Sequence, residues 1–218
     1  ILLYGNHCQF YLNKYRHCCR HDYQNYDIIN KLFIDNNDLF QYAFKFDKYL
    51  FTHAGVCSGW IEQNNLNLDE SNIVNYLNSN PESLWQIGYS RGGNFMWGSP
   101  LWCCWVGDWV EFDYINKCNN PFDLIQIFGH TNVGKQDFPL YFSRKKVYMC
   151  DVQNCFILNT ETGEIRDLTG SVTSVQVKIE KLNLKESKYF PIKGILFNGI
   201  SRLIIKATKR QIKNARNK

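Results

Sequence analysis

At 218 residues, with 44% apolar and 16% aromatic side chains, the chain is long enough to bury one sizeable core and too apolar to be a disordered segment. Its longest apolar runs, such as Leu101–Val106, fall far short of the roughly 18–20 residues that a membrane helix needs, and no basic n-region with a cleavage site opens it. The expectation is a soluble, cytoplasmic protein without a transmembrane segment. The net charge of +5 is uneven: residues 171–218 hold twelve Lys or Arg against two acids, and residues 1–170 hold thirteen against eighteen. Basicity is therefore a property of the tail and not evidence that the body binds nucleic acid.

In chain order, Ile1-Leu2-Leu3-Tyr4 reads as a buried parallel strand that empties into Gly5-Asn6-His7, followed by a helix over residues 7–20. A second helix is expected over Tyr26–Ile34, with Ile28, Ile29, Leu32 and Phe33 on one face. Residues 39–56 read as two strands joined by a tight turn at Phe46-Asp47-Lys48 and ending in Thr52-His53-Ala54-Gly55. Helices follow at about Asp69–Leu77 and from Pro81, behind Asn80 as an N-cap. The Gly- and aromatic-rich stretch that begins at Gly88 is expected to be an irregular loop that meets substrate. A third strand, Leu124–Phe128, ends in Gly129-His130-Thr131, and residues 140–168 read as short strands closed by a turn at Glu161-Thr162-Gly163. The composition shifts near Gly170.

Nine cysteines, an odd number with two adjacent pairs and no secretory signal, read as reduced thiols rather than a disulfide framework. The stretch Arg16-His17-Cys18-Cys19-Arg20-His21 invites a zinc reading, but adjacent cysteines cannot readily ligate from one helix face and no second ligand pair stands nearby. Asp151 ends a strand and reads equally as a turn cap or a site acid. Trp97, Trp102, Trp105 and Trp109 read as core, with base stacking as the alternative. In the tail, Ile200, Leu203, Ile204 and Ala207 form a helical stripe among basic residues, which suits contact with an acidic surface as well as packing on the body.

Three strands thus deliver Asn6-His7, His53 and His130, each beside a glycine that lets backbone approach an ion or a phosphate. Neutral imidazoles and an amide oxygen suit divalent metals such as Mn²⁺, Zn²⁺ or Fe²⁺. Three histidines in one sequence context outweigh the alternative that each merely satisfies hydrogen bonds at a strand end.

With Gly5-Asn6-His7, His53-Ala54-Gly55 and Gly129-His130-Thr131 in this order, and Ser90-Arg91-Gly92-Gly93 and Gly98–Trp102 between the last two, residues 1–170 resemble the calcineurin-like metallophosphoesterases. The likeness is greatest to the branch of Ser/Thr protein phosphatases and diadenosine tetraphosphatases. The resemblance implies an α/β fold, a two-sheet sandwich flanked by helices. It implies metal-dependent hydrolysis of a phosphoester, with two divalent ions, Mn²⁺ or else Fe²⁺, Zn²⁺ or Mg²⁺, about 4 Å apart. It makes Asn6, His53 and His130 metal ligands, His7 the catalytic histidine and Arg91 a phosphate clamp.

The family carries two earlier motifs, Asp-x-His and Gly-Asp-x-x-Asp, for which there is no room ahead of Gly5. The expectation is therefore an N-terminally truncated domain over 1–170, weakly active or inactive by itself, with a basic extension over 171–218. Cys8 stands where the family usually has an acid, and Asn132 replaces the second histidine of the GHxH form, as is common in this branch. A competing reading is a non-catalytic interaction module on the same fold.

Overall fold

A computed structural model describes residues 1–13, 21–103, 119–131, 139–142, 145–151, 155–168 and 175–177, and the chain divides into two units, Ile1–Thr131 and Asn132–Lys218. The fold is mixed α/β. In the first unit the opening strand β1 (Leu2–Leu3) is only two residues long and pairs in parallel with β2 (Phe40–Gln41). It is not the buried strand its apolar run suggests, because Ile1 and Leu2 are exposed. Tyr4 is the residue that goes inside, stacked on Phe40 at 5.0 Å and against Tyr42 at 4.8 Å.

The helix expected over residues 7–20 is helical as α1 (Cys8–Leu12); Asn13 is already extended, and residues 14–20 lie outside the described residues. Helix α2 (Tyr26–Asp35) has the expected bounds. Its apolar stripe is divided, however. Phe33 packs on Tyr4 and Phe40, whereas Ile28 and Leu32, one turn apart, are 63% and 58% exposed.

β3 (Ala43–Phe46) and β4 (Tyr49–Thr52) form the expected antiparallel hairpin, with Asp47 in the left-handed region that a two-residue turn requires and Asp tolerates. β4 pairs on its other edge in parallel with β5 (Ile125–Phe128). A strand flanked on both sides has little water to face, and Tyr49, Leu50 and Thr52 are all buried. Between β4 and β5 lie α3 (Ser58–Gln63), α4 (Ile73–Ser79) and a 3₁₀ helix over Pro81–Trp85, whose Trp60, Ile73, Leu77 and Leu84 are fully buried.

α4 begins later than its sequence suggests because Asp69 Oδ1 holds the backbone N–H groups of Ser71 and Asn72 in a turn. Asn80 does not cap with its side chain; its Nδ2 donates to the Tyr76 carbonyl of the preceding helix.

Side-chain amides tie these elements together. Asn78 Oδ1 accepts from the N–H groups of Tyr42 and Ala43 while its Nδ2 donates to Ala43 O, which closes the free edge of β3 at that point. Gln86 Oε1 accepts from Trp60, Gln63 and Asn64, which seats the start of the Gly-rich loop on α3. Gln126, fully buried in β5, accepts from Val56 N–H at 2.7 Å and donates to Val56 O at 2.8 Å and to Asn120 Oδ1 at 2.7 Å.

In the second unit β6 (Leu140–Phe142) is antiparallel to β7 (Val147–Met149), β8 (Phe156–Leu158) is antiparallel to β9 (Ile165–Asp167) across a turn ending at Gly163, and β10 (Val175–Val177) runs parallel to β6. Asp151 follows β7 in this unit. Asn132 and the tail beyond Val177 lie outside the described residues.

Gln126→Leu keeps the volume of the side chain but orphans both Val56 backbone groups. At roughly 1–3 kcal/mol per buried unpaired group, urea unfolding is expected to show a loss of about 3 kcal/mol with an unchanged denaturant slope. A loss under about 0.5 kcal/mol would mean that water replaces the amide.

Candidate functional site

The parallel register of β4 with β5 sets the ends of the two strands side by side, and Gly129 N–H donates to His53 O at 2.9 Å, one step beyond the ladder. His53 and His130 are therefore neighbours although 77 residues apart in sequence. His53 Nε2 stands 3.0 Å from His130 Nδ1 and 2.9 Å from Asn6 Oδ1, and the two rings meet nearly edge to face at 4.8 Å. One ring nitrogen offers a single proton or a single lone pair, so His53 Nε2 cannot serve both neighbours in line. Three polar atoms are crowded toward one point.

The backbone works to hold this arrangement. A Cβ on Gly5 would lie 3.1 Å from His53 Cε1, a tight contact that the imidazole would have to yield to, so glycine here lets the chain entering Asn6 lie close to the ring. Gly55 has φ +86° and sits on the Phe128 ring, 2.7 Å from where a Cβ would be. His130 itself has φ +68°, a strained value for histidine, in a turn closed by Thr131 N–H donating to Gly129 O. Asn6 is 4% exposed.

Burial is the main reason that His53 titrates at about 4 and His130 at about 3. The charges of His7 and Arg91 lower His53 further, and those of His53, Arg91 and His7 lower His130. Both imidazoles are neutral at pH 7, with ring lone pairs available to a ligand. His130 Nε2 is buried with no hydrogen-bond partner, as is Nε1 of Trp102, whose ring stands edge-on to His130 at 6.1 Å.

His7 follows Asn6 directly at the start of α1, 6.5 Å from the Phe10 ring. Cys8 receives the Gly5 N–H on its sulfur, and burial raises its thiol pKa, so it packs as a neutral side chain. Arg91 is exposed, and its Nη2 donates to Thr131 Oγ1 beside His130.

One residue, Thr131, joins the site without having been given a role from sequence, and Trp102 joins it from among the residues read as core. Thr131 was visible as part of Gly-His-Thr, but nothing in the pattern says that its hydroxyl steers Arg91. Trp102 stands half-buried and edge-on to Phe10, at 6.0 Å, and to His130, at 6.1 Å. Of the Arg16–His21 stretch the structure describes only His21, which is buried between Tyr11, at 4.6 Å, and Tyr23, at 4.6 Å; His17, Cys18 and Cys19 lie outside the described residues. Trp97 is buried, and Trp105 and Trp109 lie outside the described residues. Cys8, Cys57, Cys103, Cys150 and Cys155 are free thiols.

The donor set can be tested against a divalent ion. Two donors at right angles on a cation with bonds of about 2.1 Å stand about 3.0 Å apart, which matches the 2.9 and 3.0 Å edges at His53. The set is neutral, two imidazoles and an amide, and among the described residues no three His, Cys, Asp or Glu side chains gather to hold a metal. His53 thus stands at the spacing of adjacent octahedral positions from both Asn6 and His130. A cavity of about 300 Å³ lies elsewhere, lined by Tyr4, Leu12, Phe40, Tyr42 and neighbouring amides, and contains none of these donors. No family model, no curated protein and no solved structure matches the chain.

Proposed function

We propose that the chain carries a metal site of a phosphoester hydrolase related to the calcineurin-like metallophosphoesterases, with the two-sheet sandwich of that family. The observation that supports this most strongly is the meeting of Asn6 Oδ1, His53 Nε2 and His130 Nδ1, from three strand ends, within 3.0 Å of one another through His53. In this reading the three side chains hold a divalent ion, with Mn²⁺ favoured by the mixed nitrogen and oxygen donors and by edges near 3 Å. When bound, the ion supplies Lewis-acid stabilisation of phosphoryl charge and activation of water.

The chain's own residues do the rest. Thr131 steers Arg91, whose forked guanidinium suits two phosphoryl oxygens at once. In this reading His7, next to Asn6 at the start of α1, donates a proton to the departing oxygen. Trp102 and Phe10 exclude water from one side of His130. The exposed Ile28 and Leu32 of α2 favour a second reading, an interaction module in which the trio binds a metal without turnover.

Mn²⁺ added to the chain and followed by electron paramagnetic resonance should titrate to one tight equivalent, and His53→Ala or His130→Ala should each weaken it by at least about a hundredfold. Equal affinity in wild type and both variants would remove the metal site and the hydrolase reading with it.

In a form of the protein that carries Asp-x-His and Gly-Asp-x-x-Asp ahead of Ile1, nitrophenyl phosphate hydrolysis is expected to depend on Mn²⁺. His7→Ala should keep the metal but lower kcat by roughly 10²–10⁴. Arg91→Ala should chiefly raise KM. Metal binding without any turnover in that longer form would favour the interaction module.

A further inference from the structure

The cavity of about 300 Å³ beside β2 is built around one ring, that of Tyr4. Phe40 stacks on it at 5.0 Å with 22° between the planes, and Tyr42 meets it at 4.8 Å, so the two rings stand together on a common neighbour. Tyr4 is buried inside this cluster, whereas Phe40 and Tyr42 are half-buried and both line the cavity. Three carboxamides line it as well. Asn78 is engaged by the edge of β3, accepting from the Tyr42 and Ala43 N–H groups and donating to Ala43 O. The side-chain amides of Asn37, which is exposed, and Gln41, which is half-buried, have no hydrogen-bond partner among the described residues. No described residue of the lining carries a charge at pH 7: burial holds the Tyr42 phenol at about 12 and raises that of Tyr4, so both hydroxyls stay protonated.

We propose that this cavity binds a nucleobase, with the flat face of the base on the Phe40 and Tyr42 rings and its edge paired with the Asn37 and Gln41 amides. The inference does not depend on the phosphoester reading, because the cavity contains none of Asn6, His53 and His130. The chemistry of the lining sets the occupant. Every base has a π face that stacks on an aromatic ring, and a carboxamide presents a donor beside an acceptor, the pattern found along the edge of a base. A phosphate finds no cation among these side chains, and a simple arene would leave both amides unanswered. A volume at the low end of the roughly 300–1,000 Å³ typical of small-molecule sites suits one ring system rather than a strand of bases.

The test is a ligand-observed NMR titration of the full chain, without metal, with uracil, dihydrouracil, adenine and purine. At least one of uracil and adenine is expected to saturate a single site below about 1 mM. Dihydrouracil keeps the amide edge of uracil but loses its flat ring, and purine keeps the rings of adenine but loses the amino group. Each should bind about tenfold more weakly than the base it mimics. Asn37→Ala, at an exposed position that leaves the fold alone, should weaken the base about threefold, and Phe40→Leu about tenfold. Saturation by neither base, a control that binds as well as its base, or an affinity unmoved by Asn37→Ala overturns the site. So does an oligouridylate that binds at least about tenfold more tightly than uracil, since the surface would then read a strand. If Phe40→Leu fails to fold by circular dichroism, Asn37→Ala and the two controls decide.

Discussion

The site depends on the parallel pairing of β4 with β5. These strands come from opposite ends of a long excursion of chain, and their register, Phe51 opposite Ile127, is what sets His53 beside Gly129 and His130 just past the end of the ladder. A slip of one residue would turn Gln126 and Phe128 off the buried face and part the two imidazoles. The register is fixed from within the core, because Gln126 can bond both backbone groups of Val56 in only one alignment. The residue that looks least suited to the middle of an apolar strand is thus the one that specifies it.

Much of this was legible in the sequence. The β3–β4 hairpin, helix α2 and strand β5 follow from turn chemistry and periodicity, both local signals, and their bounds agree with the chain to within a residue or two. The glycines beside Asn6, His53 and His130 marked three strand ends, and the structure brings those three side chains together. Where local reasoning failed, a distant partner had intervened. Leu2 looked buried because its neighbours are apolar, but exposure depends on what lies across the strand. Asn80 looked like a cap, yet its amide found the Tyr76 carbonyl one turn back. Trp102 could not be told from a core residue or a stacking platform, since both call for the same side chain.

The electrostatics of the site reverse the usual cost of burying polar groups. A buried histidine ordinarily requires a hydrogen-bond partner for each ring nitrogen. Here His130 keeps Nε2 unpartnered and a backbone conformation that histidine disfavours, and Arg91 and His7 both act on the same pair to lower its pKa values. Burial and the neighbouring charges destabilise the protonated imidazole and leave the neutral one, with its lone pair, in place.

The span of chain between these donors has a consequence for the unfolded protein as well. His53 is 47 residues from Asn6 and 77 from His130, so an ion that engaged all three would cross-link the polypeptide at two long intervals. In the denatured ensemble such a clip removes conformational freedom in proportion to the logarithm of the loop it closes, as a disulfide between distant cysteines does. In a chain whose described cysteines are all free thiols, the donors at the strand ends would then tie its far-apart segments into one topology.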